Sequence, residues 1–128
     1  MNVFILPFGK INLINSSIAE VIINDGVILD KSMVETYQNL FRTNLEPPFL
    51  LLVNNEHAYS YTFEAQLEMG KLKEIAFRAF VVYSQSAEMA TQIIMDLNKN
   101  NNSNIRLFKE RQSALDWLLH EFNNKSLV

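Results

Sequence analysis

The sequence contains no cysteine. That single absence removes disulfide frameworks, thiolate metal sites and thiol catalysis, and it suits a reducing, cytoplasmic setting. Glycine is scarce as well: Gly9, Gly26 and Gly70 stand far apart, so no glycine-rich loop of the Rossmann or Walker kind is present to cradle a phosphate. The two histidines, His57 and His120, have no second histidine three or four residues away. A metal site needs ligands gathered on one face, and this spacing does not supply them. No serine lies in a nucleophile-elbow pattern. No run approaches the ~20 apolar residues that a membrane-crossing helix requires. The first ten residues, Met1 to Lys10, carry no leading basic group and are interrupted by Pro7 and Gly9, which argues against a secretory signal.

What remains is the composition of one ordinary globular domain. With 128 residues, 48% hydrophobic and 20% charged, the chain can bury one core without a metal or disulfide staple. The expected division is a single domain over 1–128, with 1–17 as an N-terminal extension or strand, 18–122 as the core and 123–128 as a tail. Net charge is −3, unevenly spread: residues 1–70 hold three basic and eight acidic side chains, residues 71–128 eight basic and six acidic. The basic residues are interleaved with acids, so the concentrated positive surface that nucleic acid demands is missing.

Hydrophobic periodicity marks alternating elements. Lys10–Asn15 and Ile18–Ile23 read as strands, and Asn24-Asp25-Gly26 supplies turn chemistry ahead of Val27-Ile28-Leu29, predicting a hairpin. Ser32 and Glu35 have capping-box spacing, opening a helix with Met33, Val34, Tyr37, Leu40 and Phe41 on one face. Pro47-Pro48 stops it, and Phe49–Val53 is a continuous apolar run suited to a central strand. Thr62 suits a helix N-cap, with helix extending to about Ala76 and a strand from Arg78 to Tyr83. Ser84 or Ser86 caps the next helix, whose stripe of Met89, Ala90, Ile93, Ile94 and Leu97 is expected to face inward. Asn98–Asn104 reads as a surface loop, Ile105–Phe108 as a short strand, and Glu110–Phe122 as a last helix with Ala114, Trp117, Leu118 and Phe122 inward. Phe41, Phe49, Phe63, Phe77, Phe80 and Phe108 are expected in the core with Trp117. Helices alternating with apolar strands imply a mixed four- to five-stranded sheet with an N-terminal antiparallel hairpin and packed helices.

Candidate chemistry is sparse. Glu64 and Glu68 share one helix face, which is the ordinary arrangement of a solvated surface. Tyr59, Ser60, Tyr61 and Thr62 differ, because they follow the central strand, where open α/β sheets carry their working surface. They are the candidate regulatory or partner-binding residues. No catalytic, cofactor-binding or metal-binding residue is assigned.

The C-terminal half, Arg78–Ser84, an amphipathic helix, Ile105–Phe108 and then Ala114-Leu115-Asp116-Trp117-Leu118, resembles the SpoIIAA-like branch of the STAS/SEC14 group. Asp25-Gly26-Val27-Ile28 and Thr62-Phe63-Glu64-Ala65-Gln66 resemble that group's first-hairpin and second-helix segments. The likeness spans roughly residues 18–122. It implies a SpoIIAA-like fold and a non-enzymatic regulatory or protein-interaction module in a bacterial-type cytoplasm, with an unidentified protein partner. The SEC14 side of the resemblance implies an alternative, a small-molecule or lipid-binding domain with a small apolar ligand. A homo-oligomer is left open. The phosphorylatable Asp-Ser-Ser-Gly of anti-anti-sigma factors is replaced here by Tyr59-Ser60-Tyr61-Thr62. A phosphorylation switch therefore carries over only to Thr62 or Ser60.

Overall fold

A computed structural model describes residues 2–99 and 104–126. Of the expected Asn98–Asn104 loop, residues 100–103 lie outside the described residues, as do 127–128 of the expected tail. The elements run β1 (Val3–Leu6), β2 (Gly9–Leu13), β3 (Ile18–Ile23), β4 (Ile28–Leu29), α1 (Lys31–Asn44), β5 (Phe49–Asn55), β6 (Ser60–Tyr61), α2 (Phe63–Met69), β7 (Ile75–Val82), α3 (Gln85–Leu97), β8 (Asn104–Phe108) and α4 (Arg111–Ser126). The fold is α/β, with a mixed sheet in the order β1-β2-β3-β5-β7-β8. β1, β2 and β3 pair antiparallel; β3, β5, β7 and β8 pair parallel.

Among the described residues the sheet has six strands where four or five were expected. The addition is β1, an edge strand whose alternate residues Phe4 and Leu6 pack against the core while Val3 and Ile5 face out. Gly9 lets the start of β2 lie close against β3, because a side chain there would meet the Ile22 carbonyl at 2.3 Å. The N-terminal hairpin is thus built from residues 3–13. Gly26 does turn the chain, at φ 78, but Ile28-Leu29 does not fold back on β3. Both edges of β3 are already taken by β2 and β5, so β4 leaves the sheet and pairs in parallel with β6 instead.

Side-chain alternation divides the core between the two faces of the sheet. On one face Ala19, Val21, Phe49, Leu51, Val53 and Phe80 pack against α1, α2 and α3 through Val34, Tyr37, Phe41, Ala65 and Ile94. On the other, Ile18, Leu50, Leu52, Ala79 and Val81 pack against Ala114 and Leu118 of α4. All seven residues of β5 are buried, as its apolar run predicts for a strand covered on both sides. Phe41 packs tilted against Tyr37 at 5.4 Å and edge-on against Phe49 at 6.5 Å, and full burial of such a ring contributes about 1.5–3 kcal/mol.

Five further local expectations are corrected. The cap of α1 is Asp30, whose carboxylate accepts the Met33 N–H at 2.9 Å; Ser32 lies inside the first turn. α2 ends at Met69 rather than near Ala76, because Leu72 turns back into the core and Glu74 leaves the helix to pair with Arg42 at 3.5 Å. On α3 the buried residues are Thr91 and Ile94, while Met89, Ile93 and Leu97 are exposed. The apolar arc of that helix is wider than the face it buries, and Thr91 satisfies its hydroxyl on the Ala87 carbonyl at 2.9 Å. Phe63 follows the α2 cap and points outward, 59% exposed. In the last helix Ala114 and Leu118 are fully buried and Trp117 and Phe122 half-buried, and the helix continues through residues 123–126.

Candidate functional site

The segment after β5 is held by backbone pairing rather than left loose. The Gly26 N–H donates to the Ala58 carbonyl at 2.8 Å, Ser60 to Val27 at 3.0 Å and Thr62 to Leu29 at 3.0 Å. Asp25 adds a side-chain bond, accepting the Ala58 N–H at 3.2 Å. The turn chemistry at residues 24–26 therefore serves to anchor residues 58–62. Alternation along β6 then turns Tyr59 and Tyr61 to the core side and leaves Ser60 exposed.

The two tyrosine rings lie edge to face, with centroids 5.2 Å apart and planes at 62°. The Tyr59 hydroxyl donates to Asn55 Oδ1. The Tyr59 and Tyr61 oxygens are 2.8 Å apart. A phenol has one proton, and Tyr59 spends its own on Asn55, so Tyr61 donates to Tyr59. The result is a directed chain from Tyr61 through Tyr59 to Asn55. Burial pushes both phenols above their ordinary value; in Tyr61 the bond to Tyr59 adds to this, and in Tyr59 it opposes it. Tyr37 of α1 is raised by burial in the same way, and burial lowers the neighbouring Arg78 guanidinium to about 10. Arg78 donates to the Met69 carbonyl at the end of α2.

A cavity of about 530 Å³ opens beside these residues. One wall is the segment Asn55–Tyr61 with Gln66 of α2; the other is Tyr83, Ser84 and the Ala87, Ala90 and Ile93 side of α3. Ser84 caps α3 by accepting the Ala87 N–H at 3.1 Å, which fixes that wall. Asn98 at the far end of α3 donates to the Gln66 carbonyl at 3.0 Å and ties α3 to α2.

Of the four candidate residues, Tyr59, Ser60 and Tyr61 line this cavity. Thr62 does not; its hydroxyl accepts the Ala65 N–H at 3.1 Å, as expected of a cap. His57 is exposed at the rim, 3.6 Å from Glu56, and His120 is exposed on α4 beside Asn124. Glu64 is exposed, and Glu68 pairs with Lys71 at 3.5 Å. Among the described residues no group of three or more His, Asp or Glu side chains could hold a metal, and no helix is long and apolar enough to cross a membrane.

A second polar cluster, unforeseen from the sequence, lies on the α4 face. Glu20 of β3 is 3% exposed and accepts both arms of Arg111 at 2.9 Å, Asn54 at 2.9 Å and Asn12 at 3.3 Å. Burial alone would raise the Glu20 carboxyl, but those hydrogen bonds and the Arg111 charge overcome it and hold it below its ordinary range. The Tyr83 hydroxyl donates to Asn54 Oδ1 at 2.8 Å, so a ring that lines the cavity also closes this network. The available signal was an acid placed within the apolar run Ile18-Ala19-Glu20-Val21-Ile22-Ile23.

No family model, curated protein or solved structure matches the chain.

Proposed function

We propose that the chain is a non-catalytic small-ligand-binding module whose working surface is the cavity between Asn55–Tyr61 and α3. The observation that carries this reading is the cavity itself. Its volume of about 530 Å³ falls within the ~300–1,000 Å³ range of small-molecule sites, and it combines an apolar helix wall with a few fixed polar groups. Its tyrosines are held protonated across the neutral range and bonded to one another, which suits a recognition frame better than a general base. The SpoIIAA-like resemblance stands beside this as a proposal about descent, supported by the mixed sheet with its N-terminal hairpin.

The test is a thermal-shift screen of small molecules and lipid extract on the wild type and on Ala90→Phe, which fills the cavity from α3. Ligands that stabilise the wild type and lose their effect in the filled variant support the reading. Ligands that act equally on both, or no ligand at all, refute it.

The regulatory, protein-interaction reading has its own observation. Met89, Ile93 and Leu97 are 61%, 50% and 36% exposed at four-residue spacing along α3. Such a stripe matches the anchor spacing of helix-in-groove recognition. A protein partner lost on Met89→Glu and retained by Ala90→Phe would favour it.

A further inference from the structure

We infer that the cavity selects an uncharged ligand through a carbonyl oxygen, and that the Asn55 carboxamide N–H is the selecting donor. This rests on the small-ligand reading above and assigns its chemistry. Asn55 is only 7% exposed, yet it lines the cavity. Its two ends are not equivalent. Oδ1 is taken by the Tyr59 hydroxyl, which is in turn held by Tyr61. Turning the amide over would reverse the whole chain and leave the core-facing Tyr61 hydroxyl proton with no acceptor among the described residues, so the phenol pair favours the end that is offered.

The end on offer is Nδ2. It takes no acceptor among the described residues, yet no side-chain nitrogen or oxygen that is sealed from solvent there lacks a partner. Nδ2 therefore keeps contact with the cavity. A ligand that fills the cavity displaces solvent from this N–H and must supply an acceptor in its place, and in a half-apolar site a carbonyl oxygen does so without bringing a charge. The chain of bonds from Tyr61 to Asn55 polarises the amide and strengthens it as a donor.

The charges around the cavity narrow the ligand further. Among the described residues its lining contains Glu56 and His57 and no lysine or arginine. A carboxylate or phosphate would meet no permanent cation there and would face Glu56. A cationic N–H finds Glu56 only at the exposed rim and meets the Asn55 donor head-on at the buried end. Ala87, Ala90 and Ile93 offer the opposite wall to an apolar body. The fit is a compact apolar molecule carrying an amide, lactam or ketone oxygen.

Three probes of nearly one shape separate these classes: benzamide, benzoate and benzamidine. Each is titrated into the whole chain, with NMR shifts read at the Asn55 side-chain amide and at Ala90 and Ile93. Benzamide should move all three positions, with the Asn55 N–H shifting as it gains an acceptor, and should bind about tenfold or more tighter than the two charged probes. Asn55→Asp keeps an acceptor for Tyr59 and replaces the donor, so its preference should pass from benzamide to benzamidine. Tyr59→Phe, a milder change that frees the amide to turn, should narrow the preference of the pocket for benzamide. Equal binding of the three probes, or a charged probe preferred by the wild type, overturns the carbonyl assignment while shifts at Ala90 and Ile93 leave the ligand pocket standing. No shift at the cavity with any probe overturns both.

Discussion

Replacing Arg111 with alanine should cost about 2–3 kcal/mol and blunt the way the Glu20 region responds to acid. Glu20 is 3% exposed and receives two charge-assisted bonds from Arg111, both at 2.9 Å. Losing one partner of a buried ion pair costs about 3–5 kcal/mol when the remaining charge is sealed in. Here the Arg111 side chain is 43% exposed, so water enters the vacated place and the figure is discounted. Asn54 and Asn12 also remain as donors. In the wild type the folded Glu20 pKa lies below its unfolded value. Between the two the unfolded chain binds more protons, so this contribution is fully present above the unfolded pKa and is lost as pH falls through the folded one. Without Arg111 the burial that opposes ionisation is less well answered, and the folded pKa rises. The loss in the variant should therefore be largest near neutral pH and shrink in acid. Urea melts at several pH values between roughly 3 and 7, followed by Trp117 fluorescence and far-ultraviolet dichroism, give the difference directly. A loss below about 0.5 kcal/mol, or one that does not change with pH, would refute the argument that this network fastens α4 to the sheet.

Alkali should unfold the protein sharply. Tyr37, Tyr59 and Tyr61 have folded pKa values raised by burial, so between ~10 and those values the unfolded chain has released protons that the folded one keeps, and stability falls as pH rises. Arg78, lowered to about 10, works in the opposite direction, leaving a net loss of up to about 3 kcal/mol per pH unit. Tyrosinate absorbance should develop together with loss of the dichroism signal; full ionisation of all four tyrosines in a still-folded protein would contradict this. Trp117→Ala should destabilise by about 2–3 kcal/mol, less than a fully buried tryptophan, because the ring is half-buried between Phe77 and Phe108, each at 5.6 Å, with the Arg106 guanidinium 5.0 Å above it. A chemical melt read by dichroism measures it, and a loss under ~0.5 kcal/mol would mean the ring adds nothing to the α4 interface.

The parts of the fold that could be read from the sequence are those where one local rule acts alone. Phe49–Val53 announces a covered strand because every residue in it is apolar, and Thr62 and the pair Ser84 and Ser86, of which Ser84 is the cap, announce helix starts because a hydroxyl is needed there. Apart from the α1 start, where two neighbouring side chains could cap and Asp30 rather than Ser32 does, reading failed where tertiary partners decide. Ile28-Leu29 has strand chemistry in either pairing, and only the occupied edges of β3 send it to β6. Arg78 argues against a buried strand until the end of α2 supplies the Met69 carbonyl to receive it. On α3, hydropathy favours burying Met89 and Ile93, yet the face that meets the sheet carries Thr91 and Asn98, whose polar groups find carbonyl partners on the helix itself.

The candidate site shows the same division at the level of single residues. Tyr59 and Tyr61 could be singled out because they follow a central strand, where open α/β sheets carry their working surface. Asn54 and Asn55 could not, since an amide at the end of a strand reads as the start of a turn. In the structure these two neighbours carry the polar organisation of the sheet's end. Successive strand residues point to opposite faces, so Asn55 turns to Tyr59 and the cavity while Asn54 turns to Glu20 and the α4 anchor. Tyr83 joins the two sides, lining the cavity with its ring and donating its hydroxyl to Asn54. A one-residue slip of β5 would exchange the two amides and leave both faces with the wrong groups. The fully buried apolar residues Phe49–Val53 fix that register, so the packing of the core is what positions the site.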